Sequence, residues 1–268
     1  AGMTAARALS AQGFEVYLVE REGELGGNLR RLHYTLEGNG VQGYLADLIE
    51  RVKRDPLIHI FTRARVEQVE GCVGNFTSTV RSSEAHSSEF EVRHGIIIVA
   101  TGAAEFKSDY YLHGWDERVM TQRELEERLA LDGNVLDGVN RLVMIQCVGS
   151  RDAERPYCSR VCCSQALKNA LKVKEINPQA EVFVLYRDLM SYGLKEEYYT
   201  RARAAGVTFI RYDLDQPPQV RKVMAVVRRG ETAPPGPAPS PLAVSVRDAS
   251  LGAELNIGRL QNLRSVLL

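Results

Sequence analysis

The sequence predicts an α/β fold of two Rossmann-like dinucleotide-binding units, truncated at both ends. Three observations carry this reading. A small-residue helix, "GMTAARALSAQG", runs into the strand-like "FEVYLVE", which finishes on Glu20; this is the second half of a mononucleotide-binding βαβ unit. A wholly apolar run, "IIIVATGA", stops on small residues. From residue 141 onward, "RLVMIQ", a helix over 160–176, "EVFVLYRD", "KEEYYTRARAAG" and "VTFIRYD" alternate strand and helix, the mark of a second parallel, doubly wound unit.

The first helix ends at Gly13, a natural C′ position. Ala1 opens on that helix with no initiating methionine and no strand ahead of it, so the chain reads as cut. "VQGYLADLIERVKRD" is a second amphipathic helix, and "PLIHIFTRARVEQVEG", "NFTSTVRS" and "SEFEVRHG" are strands that lead into "IIIVATGA". "TQRELEERLALDG" is helical and polar, which places a boundary near Asp116. Residues 231–241, "ETAPPGPAPSP", suit only a loop or hairpin tip. "LAVSVRDASLGAELNI" is a hairpin. The expected domains are 1–115, a dinucleotide-binding unit lacking its first strand, 116–257, a second unit carrying a cysteine site, and 258–268, a truncated or divergent tail.

A chain of 268 residues exceeds one comfortable core and suits two domains, each on the order of 100–150 residues. Thirty-four Lys+Arg balance thirty-four Asp+Glu, which leaves no basic field for nucleic acid. No run of about 18 apolar residues offers a membrane span, and no charged n-region precedes an apolar h-region. The expectation is a cytoplasmic protein. The odd count of five cysteines, four of them clustered, points to metal or redox chemistry in a reducing compartment and not to a disulfide framework.

Two stretches carry dinucleotide chemistry. Glu20, at a strand end eighteen residues after Gly2, is placed to take ribose hydroxyls, and Gly2 occupies the motif position that allows close helix-strand packing. Gly26-Gly27 lets backbone amides reach a phosphate with no Cβ in the way. Ala100, Thr101 and Gly102 end the apolar strand where the chain can pass close to an adenosine or flavin edge.

Cys147, Cys158, Cys162 and Cys163 form C-x10-C-x3-C-C, with Cys147 where a second Rossmann unit would carry its glycine-rich turn. Four thiolates suit an iron-sulfur cluster or tetrahedral zinc, and a helix N-terminus favours their negative charge. The vicinal pair Cys162-Cys163 is awkward for a small zinc knot and easier around a cubane. Lys168 lies on the following helix, either solvated or facing a flavin whose reduced form its cation would stabilise. Cys72 is expected as a lone buried or half-buried thiol, and His33, His59, His86, His94 and His113 show no ligand spacing.

"YLVEREGELGGNLRRLHYTLEG", "GCVGNFTSTV", "IIIVATGA", "VMTQRELEERLA", "VMIQCVGSRDAERPYCSRVCCSQALKNALKVKE" and "VLYRDLMSYG" resemble the A subunit of heterodisulfide reductase and its relatives, up to about Asp213. The resemblance implies a thioredoxin-reductase-like fold and an electron-transferring flavin and iron-sulfur oxidoreductase that works with partner subunits. It implies FAD lined by Gly2, Glu20, Arg21, Gly26, Gly27, Asn28, Val66, Ala100, Thr101 and Gly102. It also implies a [4Fe-4S] cluster on Cys147, Cys158, Cys162 and Cys163; Lys168, read from its place on the helix after the cysteines, is the catalytic candidate. The opening strand and first two glycines of the flavin motif are absent, so this piece is expected to hold FAD weakly. The alternatives are a zinc-stapled interaction module without catalysis and an NAD(P)H-dependent flavin disulfide reductase using Cys158 and Cys162.

Overall fold

A computed structural model describes residues 1–83, 88–107, 109–132, 135–222, 242–260 and 266–267, without the side chains of 258–260 and 266–267. The Pro-rich stretch 231–241 and His86 lie outside the described residues. The chain forms two compact units, Ala1–Tyr34 with Gly40–Glu105, and Thr35–Asn39 with Phe106–Leu268.

In the first unit, α1 (Gly2–Ser10) and α2 (Gln42–Arg54) place Met3, Ala6, Leu45, Leu48 and Val52 in one core cluster. This is the apolar stripe of an amphipathic helix turned to a sheet. That sheet is the parallel pair β1 (Val16–Val19) and β2 (Ile58–Phe61), in register Val16 to Ile58 through Val19 to Phe61. Gly13, at φ 86°, ends the turn after α1 as its left-handed residue. A separate antiparallel sheet follows: β3 (Ala64–Cys72), β4 (Asn75–Ser82) and β5 (Glu89–His94), with β4 in the middle. Cys72 ends β3 exposed, not buried, because it pairs with Asn75 at the hairpin tip, beyond the small core of Ala64, Val80 and Val92.

The run "IIIVATGA" departs from expectation. Residues 96–103 form no strand, and Ile96, Ile97, Ile98 and Val99 are 46–78% exposed. Apolar composition favours a buried strand only where a ladder partner takes up the backbone N–H and C=O groups. The β1–β2 sheet is two strands wide and pairs with no part of this run.

The second unit is built on a parallel sheet in the order β6 (Val119–Met120), β13 (Val266–Leu267), β7 (Arg141–Ile145), β8 (Glu181–Tyr186) and β9 (Thr208–Arg211). β13 comes from the segment read as a tail and lies parallel between β6 and β7. Helices α3 (Gln122–Leu131), α4 (Cys162–Ile176) and α5 (Glu196–Ala204) cover one face, where Leu142, Met144, Val182 and Val184 meet Leu125, Leu167, Ala170 and Ala202. A capping box starts α3: Glu124 N donates to Thr121 Oγ1, and Thr121 N donates to the Glu124 carboxylate at 2.8 Å. The other face is not doubly wound. It is covered by an antiparallel sheet of β10 (Gln219–Lys222), β11 (Leu242–Asp248) and β12 (Ala253–Leu260). Val143, Ile145 and Leu185 alternate onto that side and pack against Leu242, Val244 and Val246. No helix among the described residues is long and apolar enough to cross a membrane.

Candidate functional site

In the first unit, the predicted dinucleotide residues gather at the carboxyl end of the β1–β2 pair, where open α/β sheets bind ligands. Glu20 N donates to Phe61 O at 2.8 Å, which extends the parallel ladder by one residue, and Glu22 N donates to Glu20 Oε1 at 2.9 Å, which fixes the carboxylate. Gly2 opens α1, and a Cβ built there would stand 3.5 Å from Ala100 Cβ and 3.6 Å from Leu18 Cδ1. Gly26 and Gly27 have φ of 122° and 51°, so the turn between β1 and α2 depends on residues without a Cβ. Asn28 Nδ2 donates to Ala103 O at 2.8 Å, joining that turn to the segment holding Ala100, Thr101 and Gly102. Gly2, Gly26, Gly27, Asn28 and the 100–102 turn therefore converge. Arg21 and Val66 are exposed, Arg21 paired with Glu22 at 3.0 Å. A cleft of about 280 Å³, lined by Arg21, Arg63, Arg65, Glu67 and Arg81, was not read from the sequence.

In the second unit, β7 ends at Ile145 and the chain enters a loop with four residues in the left-handed region: Cys147 (φ 63°), Gly149 (61°), Arg151 (58°) and Arg160 (60°). Three of these carry a side chain, each at a backbone cost of about 1–2 kcal/mol. The loop is braced by Arg155. Its Nε donates to Gly149 O at 2.7 Å, and its guanidinium lies 4.1 Å from the centre of the Phe106 ring. Phe106 in turn fills the space beside Gly149 that any Cβ would take.

The loop delivers the cysteines to the start of α4, whose N-cap is Val161 and whose first turn holds no acid, so its free amides favour negative charge. Cys163 is buried and its Sγ lies 3.8 Å from Asp188 O, while Cys147, Cys158 and Cys162 are half-buried. Ser159 Oγ lies 3.7 Å from Cys162 Sγ, and Arg160 N donates to Cys158 Sγ at 3.4 Å. A hydrogen bond from Cys163 pulls the Cys162 thiol down against its burial, and the same bond together with burial pushes the Cys163 thiol up. Burial also raises Cys147, with Cys162 adding to the effect and Arg151 and Arg187 opposing it. Cys147, Cys162 and Cys163 thus feel one another's charge. Cys158 sits four residues before α4 in the same loop.

Among the described residues, no three or more His, Cys, Asp or Glu side chains are already arranged around a metal position. The donor set nonetheless fits a thiolate-ligated group: four sulfurs, an acid-free helix start, and buried polar donors beside them that have no acceptor. Three of the four buried side-chain N or O atoms without a hydrogen-bond partner among the described residues are Gln146 Nε2, Arg151 Nη1 and Ser164 Oγ. Lys168 is neither solvated nor open. Its Nζ lies 2.7 Å from Glu126 Oε2, with the two side chains 6% and 0% exposed. Glu126 on α3 gives no signal in the sequence, because it stands in a run of charged residues that reads as a solvated face.

The NAD(P)-binding Rossmann-like domain family matches residues 1–62. The chain is similar to the iron-sulfur A subunit, form 1, of the CoB-CoM heterodisulfide reductase of Methanopyrus kandleri, at 30% identity over 79% of this chain and 46% of that protein. The corresponding Methanocaldococcus jannaschii protein matches to the same extent. The A subunit of the H(2):CoB-CoM heterodisulfide,ferredoxin reductase of Methanothermobacter marburgensis is 40% identical over 139 residues, 46% of this chain and 21% of that one. The chain spans about half the length of the first two relatives. Thioredoxin reductase of Lactococcus lactis shares the fold, with a TM-score of 0.52 at 16% identity over 99% of this chain and 72% of that chain. The resemblance to the heterodisulfide reductase A subunit and the thioredoxin-reductase-like α/β fold are both borne out.

Proposed function

We propose that this chain is the flavin and iron-sulfur part of an electron-transfer oxidoreductase of the heterodisulfide reductase A type, working in the cytoplasm with partner subunits. Residues 1–115 hold FAD and 116–257 hold a [4Fe-4S] cluster. The observation that carries the reading is the set of four cysteines around a strained loop and an acid-free helix start, placed where a second dinucleotide site would have its phosphate turn. In this reading the bound groups supply reversible one-electron transfer at the cluster and one- or two-electron transfer at the flavin.

The chain's own residues bind and orient. Glu20 takes the ribose hydroxyls, and the amides around Gly26 and Gly27 take phosphate oxygens. Asn28, Ala100, Thr101 and Gly102 shape the flavin edge, and Gly2, Arg21 and Val66 line the rest of that site. Cys147, Cys158, Cys162 and Cys163 ligate iron as thiolates. Lys168 is expected from sequence beside the flavin, but its ammonium is engaged by Glu126. Its role in this reading is to hold α4 on α3, so that α4 presents the cysteines in a fixed orientation.

The test is metal and flavin analysis of protein purified without oxygen and reconstituted with iron and sulfide. Expected are visible absorption that bleaches on reduction, a loss of about four irons per chain in Cys162→Ser with FAD affinity kept, and no loss in Cys72→Ser. Glu20→Ala is expected to weaken FAD binding about 5- to 150-fold through lost charge-assisted hydrogen bonds. A colourless protein carrying zinc would overturn the reading in favour of a structural staple.

A further inference from the structure

A buried N–H or O–H without an acceptor costs about 1–3 kcal/mol, and folded proteins keep few of them. Here such atoms are not scattered. Gln146 Nε2 belongs to the residue before Cys147, Arg151 Nη1 to the residue four after it, and Ser164 Oγ to the residue after Cys163. The remaining one, Gln122 Nε2, is on α3, where Gln122 already accepts from Asn169 Nδ2 at 2.8 and 3.0 Å.

Gln146 and Arg151 are held by their other contacts. Gln146 is 2% exposed; its N donates to Leu185 O at 2.8 Å and its carbonyl accepts from Tyr212 Oη at 2.5 Å, so its backbone is satisfied and only the amide is left over. Strand alternation puts its side chain on the face shared with Leu142 and Met144, which is the face covered by α4. Arg151 is clamped through Nη2 to Asp188 at 2.5 Å, the residue whose carbonyl faces Cys163 Sγ, and its charge bears on Cys147. Ser164 stands in the first turn of α4. All three groups can donate, and each belongs to a residue one to four positions from a cysteine in the sequence.

We propose that Gln146, Arg151 and Ser164 donate hydrogen bonds to the thiolate or sulfide sulfurs of the group held by Cys147, Cys158, Cys162 and Cys163, and so raise its reduction potential. The inference rests on the cluster assignment above. Its sign follows from charge: one-electron reduction adds a negative charge to an already anionic group, and donors aimed at sulfur stabilise that state more than the oxidised one. The three bind no iron themselves.

The experiment compares wild type, Gln146→Leu and Ser164→Ala, each reconstituted with iron and sulfide, by iron content and by redox titration followed optically and by electron paramagnetic resonance. In each variant iron content is expected to stay at the wild-type level. The ratio of reduced to oxidised cluster at a fixed poise is expected to fall about three- to tenfold, a tenfold change being about 59 mV for one electron. Without metal, Gln146→Leu is expected to be at least as stable as wild type to urea, since it removes a donor that has no partner. Wild-type potentials in both variants at full iron content would overturn this inference and leave the cluster assignment standing. Failure of wild type to take up iron would overturn both.

Discussion

Gly149 shows how tightly a single residue is held in the cysteine loop. It sits at φ 61° with the Phe106 ring packed where a side chain would begin, and its carbonyl accepts from Arg155. Gly149→Ala must therefore carry a methyl in the left-handed region and also displace the ring. The first effect alone costs about 1–2 kcal/mol, and a displaced aromatic ring adds about as much again. We expect a loss of about 2–4 kcal/mol in urea unfolding, together with weaker iron retention because the loop carries Cys147 and Cys158; unfolding at the wild-type midpoint would refute the packing argument. Among single residues the sequence marked the place of the cysteines before α4 and of Gly26 and Gly27 in a left-handed turn, because residue type alone carries that signal. It was not readable for Phe106 or Arg155, because a lone phenylalanine and an arginine in a polar loop acquire a role only from what they stack on.

Between elements, a buried ion pair joins α3 to α4. Lys168 and Glu126 are almost fully buried and 2.7 Å apart, and Gln165 Nε2 lies 3.4 Å from the same carboxylate oxygen. Burial lowers the lysine pKa while Glu126 opposes the shift. Removing one partner leaves a buried charge uncompensated, so Lys168→Met is expected to cost about 3–5 kcal/mol. The double variant Lys168→Met with Glu126→Leu is expected to recover most of that loss, since a well-packed apolar pair often matches a buried ionic one. A double-mutant cycle by urea unfolding checks this: additive losses would show that the two side chains are not coupled. A lysine acting only beside a flavin would leave the stability of the flavin-free protein unchanged. Element types were legible because periodicity reports burial on one face. Residues 96–103 depart from it because an apolar pattern cannot supply its own ladder partner, and β13 departs because two residues carry no periodicity.

Across the whole second unit, Asp116 ties the start of β6 to β10. Arg118 holds both its carboxylate oxygens, at 2.8 and 2.7 Å, and Lys222 Nζ lies 3.4 Å away, with the Asp116 side chain 6% exposed. The Arg118 hydrogen bonds bring its pKa down to about 2, against about 3.9 in an unfolded chain. A lowered folded-state pKa means the unfolded chain binds the proton more readily. The stabilisation is therefore fully present above about pH 4–5 and is lost as pH falls through about 2, and it amounts to about 2 kcal/mol. Urea unfolding of wild type and Asp116→Asn is expected to differ by about that amount at neutral pH and to converge toward about pH 2; a difference independent of pH would show that the carboxylate's charge is not what stabilises the junction.

The two-unit α/β plan, the parallel order of strand and helix from residue 141 onward, the crowding of cysteines before one helix and the Gly26-Gly27 turn were all present in the order of residues. These follow from side-chain period, from residues such as glycine that alone tolerate a given backbone, and from the chemistry of sulfur. Folding in three dimensions settled the rest: an antiparallel sheet and not helices covers the second face of the parallel sheet, β13 inserts between β6 and β7, Lys168 is engaged by Glu126, and the atoms Gln146 Nε2, Arg151 Nη1 and Ser164 Oγ find no acceptor among the described residues. Each of these depends on which distant residue arrives opposite, and local pattern carries no record of that: a charged residue looks solvated until its partner is buried with it, and a donor looks satisfied until its surroundings close.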